Sequence, residues 1–216
     1  MIPEYKILYE GASGEIIEKK SRFIATLRPV ESEEEAYAFI EEMRKKYWDA
    51  THNCSAFVVG ERGELARCSD DGEPSQTAGR PMLDVLLGEE IRNVCAVVTR
   101  YFGGTLLGTG GLVRAYSGAV KEGLAHCTVV TKRLAKELAV TTDYSGVGKI
   151  QYLAAQSGIT TLDSQYGADV TFSFLVPTGQ ADSFMALLTE GTNGRCAMEV
   201  KRELYYGLIN KNVILF

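Results

Sequence analysis

The sequence lacks the features that would place it in a membrane or secreted class. It contains no run of about 18 apolar residues, so it predicts no membrane-spanning helix. Its first residues carry no basic segment followed by an apolar stretch, so no secretory signal is visible. We therefore expect a cytoplasmic protein without a membrane partner.

Residues suited to disulfides or metal sites are also scarce. The five cysteines are odd in number, widely spaced and never arranged as C-x-x-C, which fits a reduced compartment. With only two histidines, a histidine-rich metal site is not expected. The catalytic motifs H-E-x-x-H and G-x-S-x-G are missing. The sequence thus gives no reason to assign a catalytic residue, a metal or a cofactor, although it leaves enzymatic activity open.

An excess of positive charge is missing as well. The net charge is −5, and residues 1–134 hold 17 basic and 20 acidic side chains, against 6 and 8 in residues 135–216. Neither half is basic, so bulk electrostatics do not favour nucleic-acid binding. Any such binding would have to depend on a local patch.

The order of apolar patterns predicts an α+β protein with two domains, 1–133 and 134–216. In the first, a helix that begins after Ser32 and a mostly apolar strand from Val94 to Tyr101 are the clearest elements. In the second, strands and helices follow in the order βαββαβ, which is typical of the ferredoxin-like fold.

The segment from Arg100 to Tyr116 is the first candidate site. Five glycines lie within nine residues, and we expect a loop from Gly103 to Gly111 before a helix from Leu112. Unshielded backbone N–H groups at a helix N-terminus favour an anion, and Arg100 and Arg114 would add charge. The spacing matches neither a Walker A loop nor G-x-G-x-x-G. Close packing of the loop and helix on the sheet explains the glycines equally well.

Two further candidates precede this segment. Asp70, Asp71 and Glu73 fall within four residues, a pattern suited to a hard cation or to acid–base chemistry. A solvated turn whose Asp side chains cap backbone amides is the alternative. His52 and Cys54 are two apart on a predicted strand and so share a face, but nothing indicates an activated thiol.

Basic residues beside an aromatic residue form the last candidate. Lys19, Lys20 and Arg22 precede Phe23, a combination that suits the backbone and bases of a nucleic acid. A strand edge that lysine protects from aggregation is the alternative.

Together these segments resemble the IMPACT family, and especially its bacterial YigZ-type members. The resemblance rests on K-S-R-F-I at 20–24, H-N-C at 52–54, S-D-D-G-E-P at 69–74, T-A-G at 77–79 with Pro81, V-V-T-R-Y-F-G-G at 97–104 and L-G-T-G-G-L-V-R-A-Y at 107–116. It extends over essentially the whole chain and is weakest in the second domain.

The resemblance implies a fold and a field of activity. It implies an N-terminal β-α domain similar to domain IV of elongation factor G, and a C-terminal ferredoxin-like domain similar to that factor's domain V. Both folds recur in ribosome- and RNA-binding proteins. Eukaryotic members regulate translation with the help of an additional interaction domain, which has no counterpart in this sequence, so we do not carry over their kinase-linked role.

Three functions remain open, and each predicts a different surface. A non-enzymatic binding protein linked to translation would contact RNA, the ribosome or a translation-associated protein through a Gly/Arg-rich face. That face would comprise Lys20, Arg22, Arg80, Arg100, Gly103, Gly104, Gly108, Gly110, Gly111 and Arg114. A small-ligand or metal-dependent enzyme would use a polar cluster of His52, Asp70, Asp71 and Glu73. A protein-interaction module would expose Tyr101, Phe102 and Tyr116. We favour the first.

Overall fold

The computed structural model describes residues 2–216, which form two compact units with main ranges Glu4–Thr131 and Lys132–Phe216. The strands are β1 (Glu4–Glu10), β2 (Ser13–Glu18), β3 (Ser21–Pro29), β4 (His52–Val59), β5 (Leu65–Ser69), β6 (Ile91–Arg92), β7 (Val94–Tyr101), β8 (Thr128–Thr142), β9 (Thr160–Tyr166), β10 (Val170–Pro177), β11 (Ala197–Ile209) and β12 (Asn212–Leu215). The helices are α1 (Glu33–Lys46), α2 (Gly79–Gly88), α3 (Thr109–Ala125), α4 (Val147–Gln156) and α5 (Ala181–Gly191). None of the described helices is long and apolar enough to cross a membrane.

The N-terminal unit is built on a five-stranded antiparallel sheet in the order β2-β3-β7-β4-β5. Its central strand is β7, as the apolar run from Val94 predicts. Alternate residues of β7 enter two cores, because side chains on a strand point to opposite faces. Ala96 and Val98 pack in the core shared with α2 and α3, whereas Cys95 and Val97 pack in the core shared with α1.

Helix α1 begins where the sequence predicts. The Ser32 hydroxyl accepts a hydrogen bond from the backbone N–H of Glu35 at 3.1 Å, which satisfies one free amide of the first turn. Acidic residues occupy the first turn and basic residues the last, in agreement with the helix dipole. The basic last turn of α1 lies close to the loop that carries Asp71, because Arg44 donates a hydrogen bond to that side chain.

The C-terminal unit has the ferredoxin-like topology that the sequence predicts. Its elements follow in the order β8-α4-β9-β10-α5-β11, and its antiparallel sheet has the order β11-β8-β10-β9. Strand β12 adds a hairpin to β11. Helices α4 and α5 cover one face, where Phe172, Phe174 and Phe184 form the centre of the core. The α+β class is therefore confirmed.

Two elements differ from the sequence-based expectation. Strand β1 and the short β6 form a parallel pair that the periodicity did not indicate. Helix α3 begins at Thr109 instead of Leu112, so Gly110 and Gly111 belong to its first turn and not to the loop. Glycine has a low helix propensity, which is why the sequence alone placed the boundary too late.

Helix α3 offers a matched pair of glycines that tests how closely it packs on the sheet. A Cβ at Gly123 would lie 2.4 Å from Leu27 Cδ1 and 3.1 Å from Ala25 Cβ, whereas a Cβ at Gly118 would make an ordinary contact at 3.5 Å with Ile16 Cδ1. We expect Gly123→Ala to lower the free energy of unfolding by roughly 1–3 kcal/mol through overpacking. Gly118→Ala should be neutral or raise it by about 0.5–1 kcal/mol through helix propensity. Urea denaturation measures both, and equal effects of the two substitutions would contradict the packing described for α3.

Candidate functional site

The segments that the sequence singles out meet at one end of the five-stranded sheet. The strand register places Arg22 opposite Tyr101, His52 opposite Arg100, and Ser55 opposite Ser69. The turn at 19–20, the turn at 47–51, the loop at 70–78 and the loop at 102–108 therefore all project from the same end. We call this region, together with the last turn of α1 and the first two turns of α3, the loop end.

Asp70 caps helix α2 from within the loop end. Its Oδ1 accepts hydrogen bonds from the backbone N–H groups of Gly79 at 2.8 Å and Ala78 at 3.0 Å, and its Oδ2 accepts one from Gln76 at 2.8 Å. A carboxylate is stabilised there by the free amides and by the helix dipole. Asp70 thus acts as the capping residue that the sequence offered as an alternative to a cation ligand.

Asp71 points in a different direction and holds the last turn of α1. Its Oδ1 accepts from Arg44 Nη2 at 3.0 Å, and its Oδ2 accepts from the backbone N–H of Asn53 at 2.7 Å. With Asp70 and Asp71 committed to these bonds, only Glu73 is turned into the interior. Within residues 2–216, no group of three or more His, Cys, Asp or Glu side chains is placed to hold a metal ion.

Glu73 forms a buried ion pair with Arg100. Arg100 Nη1 donates to Glu73 Oε1 at 2.6 Å, and the two side chains are 6% and 4% exposed. The Tyr116 hydroxyl donates to the same oxygen at 2.7 Å, and burial raises the pKa of that phenol. The Arg100 guanidinium lies 5.3 Å from the ring centroid of Phe23. A charge this deeply buried is tolerated only when it is paired and hydrogen-bonded.

His52 lies beside this pair and has a defined orientation. Its Nδ1 is 2.8 Å from the backbone oxygen of Asp71, and its Nε2 is 3.8 Å from Glu73 Oε2. Cys54, on the same face of β4, is buried and donates its thiol proton to the backbone oxygen of Asp70 at 3.0 Å. Burial raises the pKa of the Cys54 thiol, so the pair of His52 and Cys54 does not form an activated nucleophile.

The glycines of the Gly-rich segment are required for different structural reasons. A Cβ at Gly103 would lie 2.1 Å from the backbone carbon of Lys20, so only glycine lets this loop approach the turn of the β2–β3 hairpin. Gly104 and Gly108 have φ values of +81° and +73°, a region that residues with a side chain seldom adopt. Gly110 and Gly111 lie in the first turn of α3, where no side chain caps the helix.

A cleft of about 480 Å³ opens between the loop at 70–78 and the loop at 102–108. His52, Glu73 and Arg100 line it on the polar side, and Phe102 and Leu107 are among its apolar walls. A volume of this size and a mostly apolar lining with few polar groups are typical of ligand sites.

The five basic residues that the sequence proposed for one surface are not equivalent. Lys20 and Arg114 are exposed. Arg22 and Arg80 are exposed but paired, with Glu15 at 2.7 Å and Asp84 at 2.8 Å. Arg100 is buried and neutralised by Glu73, so its charge is not available at the surface.

The loop end also has exposed residues that the sequence motifs do not include. Lys19, Lys45 and Lys46 are exposed at the loop end, and Trp48, the single tryptophan, is 83% exposed. Its turn is attached to β7, because the Tyr101 hydroxyl donates to Asp49 at 2.9 Å and the N–H of Thr51 donates to Arg100 O at 2.9 Å. Trp48 comes after the buried apolar residues of α1 and does not share their helical spacing. This departure from the spacing is the sequence signal that would have indicated an exposed ring.

Comparison with known proteins identifies both halves of the chain. The profile of the Impact N-terminal domain matches residues 19–124, and that of a domain of unknown function, DUF1949, matches residues 140–195. The IMPACT family member YvyE of Bacillus subtilis is 44% identical over 90% of this chain and 90% of its own length. The IMPACT family member YigZ of Escherichia coli is 39% identical over 82% and 87%, respectively.

Solved structures are similar as well. A crystal structure described as that of a hypothetical protein is 35% identical, with a TM-score of 0.59 over 94% of this chain and 99% of its own. A structure described as the two-domain translational regulator Yih1 is 26% identical over 55% of this chain and 48% of its own, with a TM-score of 0.38, too low to support a comparison of folds.

The ion pair between Glu73 and Arg100 predicts a contrast between two arginine substitutions. Arg100→Ala leaves a buried carboxylate without its partner and should lower the free energy of unfolding by roughly 3–5 kcal/mol. Arg80→Ala removes an exposed pair with Asp84 and should cost less than about 1 kcal/mol. Urea denaturation followed by circular dichroism measures both. A loss of similar size in the two variants would mean that the pair of Glu73 and Arg100 does not hold the loop end together.

Proposed function

The chain belongs to the IMPACT family, and from this premise we propose that it is a non-enzymatic binding protein linked to translation, which contacts RNA or the ribosome through the loop end. The link to translation is supported by family membership and by the recurrence of its folds among ribosome- and RNA-binding proteins. Likeness of fold alone is an argument by association, so the proposal depends on the surface itself.

The observation that carries the proposal is the imbalance of exposed charge at the loop end. Its carboxylates are largely engaged: Asp70 with backbone amides, Asp71 with Arg44, and Glu73 with Arg100. Glu18 and Asp49 remain as exposed acids. Against them stand five exposed basic side chains that make no ion pair within residues 2–216, namely Lys19, Lys20, Lys45, Lys46 and Arg114. A chain with a net charge of −5 thus has a locally basic surface, which attracts phosphate groups.

Exposed aromatic rings accompany this charge. Trp48 is 83% exposed and Phe102 is 47% exposed, and the N–H of Phe102 is 3.3 Å from the Thr51 hydroxyl in the turn that follows Trp48. Proteins that bind single-stranded nucleic acids combine basic residues with rings on which bases stack. The loop end has both components.

A protein partner is the second candidate, and Leu106 is the observation that favours it. This side chain is 82% exposed and lines the same cleft as Phe102, and exposed apolar and aromatic groups are typical of protein interfaces. The enzymatic alternative has less support, because Asp70 and Asp71 face away from the cleft and leave Glu73 and His52 as its only candidates from that cluster.

Binding to a fluorescent single-stranded RNA at several salt concentrations tests the proposal. The double variant Lys20→Ala/Arg114→Ala should weaken binding and reduce the slope of log K against log salt by about 0.7 for each lost phosphate contact. Both residues are exposed, so the fold should be retained. Arg62→Ala is the matched control, because Arg62 is exposed in the turn between β4 and β5 at the opposite end of the sheet.

An unchanged salt slope in the double variant, or an equal loss in Arg62→Ala, would contradict binding through the loop end. If the protein binds no RNA and no ribosomes at low salt, the protein-partner candidate takes precedence.

A further inference from the structure

Two hydrogen-bond acceptors face each other at the polar side of the cleft. The backbone oxygen of Asp71 can only accept, so His52 Nδ1 must carry the proton in the bond of 2.8 Å between them. In the neutral ring, Nε2 is then an acceptor. It lies 3.8 Å from Glu73 Oε2, which accepts no hydrogen bond from the described residues, whereas Oε1 accepts two. Both residues line the cleft, so a bound ligand can donate hydrogen bonds to these two atoms.

The surroundings restrict the chemistry of a ligand that could donate to both atoms. Glu73 is 4% exposed and already neutralised by Arg100, so the site does not call for a full positive charge. A neutral group with two N–H bonds on one nitrogen would satisfy Oε2 and Nε2 together. The exocyclic amino group of a nucleobase is such a group, and adenine, cytosine and guanine each carry one.

The remaining walls suit a flat ring. Phe102 lines the cleft with its ring centroid 5.6 Å from the Arg100 guanidinium carbon, and Leu107 and Leu112 close the apolar side. Bases that leave their stack are held between aromatic, apolar and guanidinium surfaces. The volume of about 480 Å³ is within the range of small-ligand pockets.

A phosphate would find a place beside the same cleft. Gly108 and Thr109 line it at the start of the 17-residue helix α3, whose first turn contains no acidic residue and no side-chain cap. The exposed Arg114 lies one turn further, and a Cβ at Gly110 would be 3.7 Å from its Nη1. Free amides, the helix dipole and a guanidinium together favour an anion.

We infer that the cleft between the two loops binds one unstacked nucleotide through the exocyclic amino group of its base. Glu73 Oε2 and His52 Nε2 accept from the amino group, Phe102 contacts the ring, and the start of α3 receives the phosphate. The inference rests on the proposed function where the nucleotide belongs to an RNA strand. Uracil is disfavoured, because its single N–H stands between two carbonyl oxygens that would face the two acceptors.

Three labelled decamers test the inference by fluorescence anisotropy: oligouridine, oligouridine with one central adenosine, and the same strand with purine riboside, which lacks the amino group, in place of adenosine. The adenosine strand should bind about tenfold more tightly than the other two, the size of a two-bond base contact. Equal affinity for all three would overturn the inference and leave the proposed function standing. No binding of any strand, together with no binding to ribosomes, would instead overturn the proposed function.

His52→Asn separates recognition from folding. Asn keeps a donor near the position of Nδ1 for the Asp71 carbonyl but removes the acceptor at Nε2. It should abolish the preference for adenosine, so that the three strands bind this variant with equal affinity. Phe102→Ala, at a half-exposed position, should also reduce the preference. A preference that survives both substitutions would contradict the inference.

Calorimetry with adenosine 5′-monophosphate and with uridine 5′-monophosphate distinguishes the source of the nucleotide. Binding of the adenosine nucleotide as tightly as the strand would identify a free mononucleotide as the ligand of the same cleft. Much weaker binding than that of the strand would identify a nucleotide within RNA.

Discussion

The buried ion pair between Glu73 and Arg100 is the interaction on which the loop end depends. Glu73 comes from the loop at 70–78 and Arg100 from the end of the central strand, while Tyr116 of α3 donates to the same carboxylate. Four segments distant in sequence are thereby joined, since Ser21 at the start of β3 also lies 3.5 Å from Arg100 Nη2. Burial of two charges is compensated only by close geometry, so the positions of these loops are coupled to one another.

This pairing also determines the electrostatics of the surface. Because the loop end commits Asp70, Asp71 and Glu73 to backbone amides and arginines, the lysines of the β2–β3 turn and of α1 face solvent without an ion pair within residues 2–216. The acidic composition of the whole chain therefore says little about the charge that a partner meets at this end. The same arrangement leaves Glu73 Oε2 and His52 Nε2 3.8 Å apart at the cleft, where a ligand can donate to both.

Local patterns were sufficient to predict much of the fold from the sequence, but not the pairing of the site. The run from Val94 to Tyr101, the cap at Ser32 and the βαββαβ order all express short-range periodicity and capping, and the structure has them.

The pairing of the site depends on contacts between distant residues. The sequence predicts an exposed Arg100, because its partner Glu73 is 27 residues away and no local signal links the two side chains. Asp70 and Asp71 look like a ligand cluster in sequence, yet their bonds to α2 and α1 depend on how the chain folds back. The position of the turn that carries Trp48 likewise depends on distant residues, since Asp49 and Thr51 are bonded to 100–102.

The most direct measurement of the central claim is a ¹H–¹⁵N NMR titration of the labelled protein with a single-stranded oligoribonucleotide. The account predicts that amide shifts change together at 19–22, 46–52 and 102–114, and that the turn at 60–64 on the opposite end of the sheet remains unchanged. Changes confined to the C-terminal unit, or centred on the turn at 60–64, would contradict the claim that the loop end is the binding surface.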